Sequence, residues 1–487
     1  MSSLIPLLLL ACSDKEADDT AGPDDTATDS ATDTDTDTAP DTGTDTLPEG
    51  AGYGFTGRDG TTSVVYDGQV FRHLLIVDMK THLGELTARV DGGFFPVPGE
   101  VTDELDFYFS FDSDTSSTVE HLFVTDPAAV QTTYGEVSGG KDLVSKIAGN
   151  DPAGQHRDWS TEFVGWSEEG VTTPESLVRH WFDQIDAAAV ARSNGDIPLG
   201  PDGAPVASVY LTAQGQDLQQ LLQKFLAGSV TFSQGTDDYL DDDLEGQGLL
   251  ASHAALEEGK PYTALEHAWD EGFGYYGASR DYCSGDDEVV ASPGWSDTWL
   301  ADGAIDLLTE VCWHHSTNAA KRDLGAVVPT DFSGQAFQGF VGGRALLAST
   351  GEDLNPGQLA ELQGYRDQAV RAWEDAIAAS VVHYLNAVLQ DMGNFGTESY
   401  DFATHAKNWS ELKGFALSFQ FNPRSPLSDE AFALLHERLG LAPVLPTADP
   451  ATIEAYRAGL LEARADLGTA YGFDPANLGA DDGTGGW

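Results

Sequence analysis

The sequence predicts a mainly α-helical protein, a multi-helix bundle with long helices and one small early β-hairpin, preceded by a disordered tether. Three observations carry that expectation. Apolar residues recur at three- and four-residue spacing over most of the 437 residues from Ala51 onward. Strand-like alternation stands out at one early place, where Leu105, Phe107, Phe109 and Phe111 alternate with polar residues ahead of Val119 to Thr125. Residues 13–50 are nearly all Asp, Thr, Ala, Ser, Gly and Pro, which offers no apolar surface to offset the entropy of ordering.

Residues 1–12 read as an export signal. Their apolar run is too short to span a bilayer, and Leu9-Leu10-Ala11-Cys12 resembles a lipobox, which makes Cys12 the expected site of lipidation. The Asp/Thr-rich tether of residues 13–50 then spans up to about 125 Å at about 3.3 Å per residue. Ser13 follows the cysteine, so the expected location is the outer membrane, at its periplasmic face or the cell surface.

The helical elements follow in order. The run from Gly68 to Arg89 carries Val70, Leu74, Val77, Leu83 and Leu86. Thr173 and Pro174 are a good N-cap and first residue for a helix bearing Leu177, Trp181, Ile185 and Ala188. Further helices are expected at 214–233, 261–276, 298–315, 330–349, 358–392, 404–421, 428–439 and 451–471. The segment 358–392 is the longest, with Leu362, Tyr365, Ala369, Trp373, Ile377 and Val381 on its pattern. Residues 51–475 are enough for one helical domain or two packed bundles, followed by a flexible tail at 476–487.

The formal charge is −56, and the first 50 residues account for only 13 acids and one base of it. The remainder holds 67 acids against 23 bases, a surface that repels nucleic acid and attracts cations. Besides Cys12 there are two cysteines, Cys283 and Cys312, which an exported chain can join in a disulfide.

Three constellations bear chemistry. In 262–277, Tyr262, Leu265, Trp269, Phe273 and Tyr276 share one helical face, and Glu266 and Asp270 lie one turn apart along its edge beside His267 and Glu271. Such a group either binds a hard cation or is an acidic outer face next to an aromatic core. Asp302, Asp306, Glu310 and His314 follow at four-residue steps, one stripe if the segment is helical. That stripe needs a cation, or a base such as those of Lys321-Arg322-Asp323. His405 falls on the face of Trp409, Leu412 and Phe419, with Glu411 about 100° away. A nucleophile elbow, a P-loop and an HExxH pair are all absent from the sequence.

Together with Tyr66-Asp-Gly68-Gln69-Val-Phe-Arg72 and Gly339-Phe-Val-Gly-Gly343-Arg344, these stretches carry a resemblance. The WDE-GFGYYG stretch at Trp269, NAAKRD at Asn318 and HxxxWSExKGF at His405 are its specific part. Over roughly residues 53–440 the chain resembles the bacterial family catalogued as domain of unknown function 4856. Its members look like exported lipoproteins found with imelysin-type proteins and outer-membrane iron-uptake receptors. The resemblance implies a helical bundle, supporting roles for Gln69, Arg72, Arg322, Asp323 and Arg344, and an uptake receptor or imelysin-like protein as partner. Imelysin-like proteins carry a GxHxxE motif. The nearest match is His267-Ala-Trp-Asp270, with Leu265 where that motif has Gly.

The leading expectation is a non-enzymatic metal-binding or metal-uptake accessory protein of the cell envelope, with iron or another divalent cation as ligand. Its expected ligands are Glu266, His267, Asp270, Glu271, Asp306, Glu310, His314, His405 and Glu411, an oxygen-rich set with a few imidazoles. An imelysin-type metallopeptidase and a polysaccharide-binding or structural surface protein are the alternatives.

Overall fold

The computed structural model describes residues 52–282, 287–299 and 301–487. The signal segment, Cys12, the tether and Cys283 lie outside the described residues. The helices of eight or more residues are α1 (Asp67–Asp91), α2 (Glu100–Phe109), α3 (Pro174–Ser193), α4 (Leu218–Leu226), α5 (Ala264–Tyr276), α6 (His314–Leu324), α7 (Phe332–Ser349), α8 (Pro356–Gly393), α9 (Phe402–Ala416), α10 (Asp429–Leu439) and α11 (Pro450–Tyr471). The mainly helical expectation holds.

Most of these helices begin where a side chain can take up an orphan backbone N–H. Thr173 opens α3, Asp217 α4, Thr263 α5, Asp331 α7, Asn355 α8, Asp401 α9, Ser428 α10 and Asp449 α11, each accepting from a backbone amide in the first turn. α8, 38 residues long, is the axis of the domain, packed by α6, α7, α9 and α11. From Ala376 to Val382 every one of its residues is buried, which requires neighbours on all sides. The glycines of α7 permit its close approach. A Cβ at Gly339 would stand 2.8 Å from the Ala369 nitrogen, and one at Gly342 2.3 Å from the Tyr365 ring.

α4 does not end at 233 as the periodicity predicts. It runs on in wider π-helical turns over Ala227–Phe232 and Gly235–Tyr239, buried nearly throughout. Thr231 and Thr236 donate their hydroxyls to the carbonyls of Ala227 and Phe232, competing with the regular ladder. A Cβ at Gly235 would stand 2.8 Å from the Trp373 ring. The extra residues per turn carry Asp237 and Asp238 on to the end of the element.

Two further expectations are corrected. The early β-hairpin is not formed: Leu105, Phe107 and Phe109 lie on α2, whose buried residues Val101, Leu105, Tyr108 and Phe109 have helical spacing. Leu105 and Phe109 fit both periods, and packing selected the helical one. In the following stretch Glu120 meets Thr133 only as an isolated antiparallel bridge. The helix expected over 298–315 is likewise absent. Ala301 and Gly303 have φ of 59° and 84°, and the described residues of this stretch run as turns and bends until α6 begins at His314.

The end of the chain, expected as a tail, turns through a short helix at Pro475–Leu478. Trp487 is buried against Phe332 and Phe473, and its carbonyl accepts from Asn386 Nδ2 at 3.0 Å.

Candidate functional site

The first constellation is formed as a helix, and the fold divides it in two. On its inner side, Glu266 completes a capping box at the start of α5, accepting from the Thr263 backbone N–H at 2.8 Å. Its other oxygen accepts from Arg344 Nη1 at 3.0 Å. One turn on, Asp270 Oδ1 accepts from Arg344 Nε at 2.9 Å and from the Tyr53 hydroxyl at 2.8 Å. Arg344 Nη2 donates to Ser63 Oγ at 2.6 Å, and the guanidinium lies 5.2 Å from the Phe55 ring centre. Arg344 and Asp270 are wholly buried and Glu266 nearly so. Burial pushes the Asp270 carboxyl up to about 7 against the pull of Arg344. Two of the expected metal ligands are therefore occupied by an arginine that also fastens the chain entering the domain at Tyr53 and Ser63. Tyr53 stacks on Phe273 at 3.7 Å between ring centres, adding an apolar contact to the same fastening.

The outer side of α5 faces an open groove of ≈ 320 Å³ lined by Lys146, Asp151, Asp238, Tyr239, His267 and Glu271. Glu271 accepts from Gln69 Nε2 at 2.9 Å. His267 Nε2 stands 3.7 Å from the other Glu271 oxygen, and its ring stacks on Tyr262 at 4.2 Å. Asp238 comes from the last π-turn of the α4 extension. Burial raises its carboxyl to about 7, and the nearby carboxylates of Asp151 and Glu271 push the same way against Lys146. Lys146 is itself paired with Asp151. The groove thus brings Asp238, Asp151 and Glu271 into one lining beside the His267 imidazole.

The other expected ligands lie elsewhere. Asp306 accepts from Gln131 Nε2, the Leu308 amide and the Thr309 hydroxyl, and Glu310 accepts from the Asp306 amide at 2.7 Å. Both carboxylates hold a loop in shape where a helical stripe was expected. His314 sits at the start of α6 with φ of 34°, its ring 5.2 Å from that of His73. His405 is buried against Phe395 and Tyr400, with Asp391 Oδ2 3.6 Å from its Nδ1. Glu411 meets Lys224 at 3.3 Å and Lys407 at 3.9 Å; burial raises its carboxyl, but Lys224, Lys407 and Lys80 hold it below its usual range. The single converging set is therefore not formed. Among the described residues no group of three or more His, Cys, Asp or Glu side chains is arranged to hold a metal ion.

Arg72 donates to the Asp142 and Gly68 carbonyls, and Asp323 accepts from the Phe332 and Ser333 amides at the start of α7. The Arg322 carbonyl accepts from the Trp487 indole. These are contacts that join segments of the fold. Cys312 is buried, and burial pushes its thiol up to about 11; the disulfide expected with Cys283 involves a residue outside those described. Sequence reasoning missed Asp238, Asp151 and Lys146. The only signal for Asp238 was the pair Asp237-Asp238 just beyond the expected end of its helix.

Fold and site together define a mainly helical domain with a buried arginine–carboxylate core beside an acidic groove. Residues 51–291 match the model of a family described as Domain of unknown function (DUF4856). The match spans α1 to α5 and every residue named in the groove, whereas Arg344 and α6 to α11 lie beyond it. No curated protein and no solved structure matches the chain.

Proposed function

We propose that this chain is an exported, lipid-anchored accessory protein of the cell envelope that binds a divalent cation of the iron class without catalysing a reaction. The cation would lie in the groove, with Asp238 and Glu271 as its carboxylate donors and His267 at its edge. The observation that carries this reading is that Asp238, Glu271 and Asp151 line one open groove of ≈ 320 Å³, where the other two carboxylates raise Asp238 by repulsion. A divalent cation relieves that repulsion, and carboxylate oxygen with imidazole suits iron or manganese. With fewer than three protein donors arranged around one point, water or a chelating molecule would supply the remaining positions. An open, half-filled coordination shell suits a protein that passes its ion on. The lipid anchor at Cys12 and the tether would let the domain reach a receptor in the outer membrane.

Elemental analysis of full-length protein purified without chelator, with thermal melts in ferrous and manganous ion, tests the reading. Wild type should carry or take up metal and melt higher with it. The shift should vanish in Asp238→Asn and in Glu271→Gln. No bound metal together with no shift in wild type would overturn it.

A further inference from the structure

Basic side chains are scarce in the domain, 23 against 67 acids, yet three arginines line one cleft of ≈ 340 Å³ beside the first half of α8. Arg366 and Arg371 come from successive turns of α8, and Arg424 from the turn that follows α9. Each guanidinium is held by bonds on part of its edge. Arg366 donates from Nε to Asp367 at 2.6 Å and from Nη1 to the Leu240 carbonyl at 2.9 Å, with Asp242 at 3.4 Å. Arg371 donates from Nε to Asp375 at 2.8 Å and from Nη2 to the Tyr471 carbonyl at 2.9 Å. Arg424 donates from Nη1 to Asp241 at 2.6 Å and from Nη2 to the Thr236 carbonyl. One nitrogen of each remains without a hydrogen bond among the described residues: Arg366 Nη2, Arg371 Nη1 and the buried Arg424 Nε.

We propose that this cleft binds a small oxyanion carrying carboxylate or phosphate groups, held by the unbonded guanidinium nitrogens of Arg366, Arg371 and Arg424. Guanidinium groups already fixed in orientation by their other bonds lose little freedom on donating a further, charge-assisted hydrogen bond. Each arginine also has a carboxylate partner, Asp367 and Asp242 for Arg366, Asp375 for Arg371 and Asp241 for Arg424, so an anion would add to groups already partly neutralised. Glu374 is wholly buried, and its carboxylate accepts from Ser425, Tyr471 and Asn422. Burial raises the Glu374 carboxyl against the pull of its hydrogen bonds, and raises Asp375 to about 7 against the pull of Arg371. The segment that supplies Asp238 to the groove also supplies Asp241 and Asp242 to the arginines, so an anion site and the proposed cation site share one support.

Isothermal titration of full-length, metal-free protein with citrate, and separately with inorganic phosphate, tests this at ionic strength held constant with chloride. At least one should bind saturably, citrate alone marking carboxylate chemistry and phosphate alone marking phosphate chemistry. Arg371→Gln, a half-exposed position, should weaken binding at least ten-fold, and Arg424→Gln likewise if circular dichroism shows it folded. Asp238→Asn should leave anion binding unchanged, which separates this site from the groove. Heats from neither anion, heats equalled by added chloride, or an affinity unaltered in Arg371→Gln would overturn the proposal.

Discussion

Arg344 Nε lies 2.9 Å from Asp270 Oδ1, and neither side chain is exposed to solvent. The pair joins α7 to α5, and through Tyr53 and Ser63 it joins both to the first described residues of the domain. Removing the arginine leaves two carboxylates buried without a counterion. Arg344→Met should therefore cost about 3–5 kcal/mol. Urea unfolding followed by tryptophan fluorescence reads this, and a midpoint within error of wild type would show the pair to be dispensable.

Gly343 is the adjoining residue, and a Cβ built there stands 2.0 Å from the Trp269 ring. The indole is itself buried and donates to the Phe340 carbonyl at 2.9 Å, so it has little room to withdraw. Gly343→Ala is expected to lower stability by about 1–3 kcal/mol through overpacking. A calorimetric melting point equal to that of wild type would contradict it.

Asp238 gives a pH signature. Its carboxyl is raised from 3.8 to about 7 by burial and by its acidic neighbours. Between those values the folded protein holds a proton that the unfolded chain has released, so its contribution to stability falls as pH rises through the window. Asp238→Asn should remove that component, making stability less dependent on pH between about 4 and 7. Melting curves of both proteins across this range check it, and parallel curves would count against the shift.

Lys413 has the opposite sign. It is wholly buried, its Nζ has no hydrogen-bond partner among the described residues, and it lies 5.8 Å from the Trp166 ring centre. Burial lowers its amine from 10.5 to about 7. Between those values the unfolded chain holds a proton that the folded protein lacks, so stability rises with pH across that interval. Lys413→Met is expected to melt higher than wild type at pH 7, by a margin that narrows toward pH 10. A variant that melts lower at pH 7 would show that the amine is satisfied after all.

Much of the helical plan was legible in the sequence, and the reason is local. A cap such as Thr173, and apolar spacing such as that of α8, act within a turn or two of backbone. The errors fell where a local pattern admitted two readings. Leu105 to Phe111 fits both a strand and one face of a helix, and Asp302 to His314 is a stripe only if its backbone is helical. Gln69 beside Glu271 was on the page as two separate motifs, and nothing local could show that they meet.

The sequence by itself determined the class of the domain, the places where most helices begin, the acidic surface and the residues from which a site could be drawn. Only the tertiary structure decided which of those residues still have free chemistry. Glu266, Asp270 and Glu271 follow one another along a single helix, yet Arg344, 74 residues beyond Asp270, holds the first two in the core and leaves the third at the groove. A carboxylate's availability depends on what is packed against it, and that partner comes from a segment no local pattern can reach.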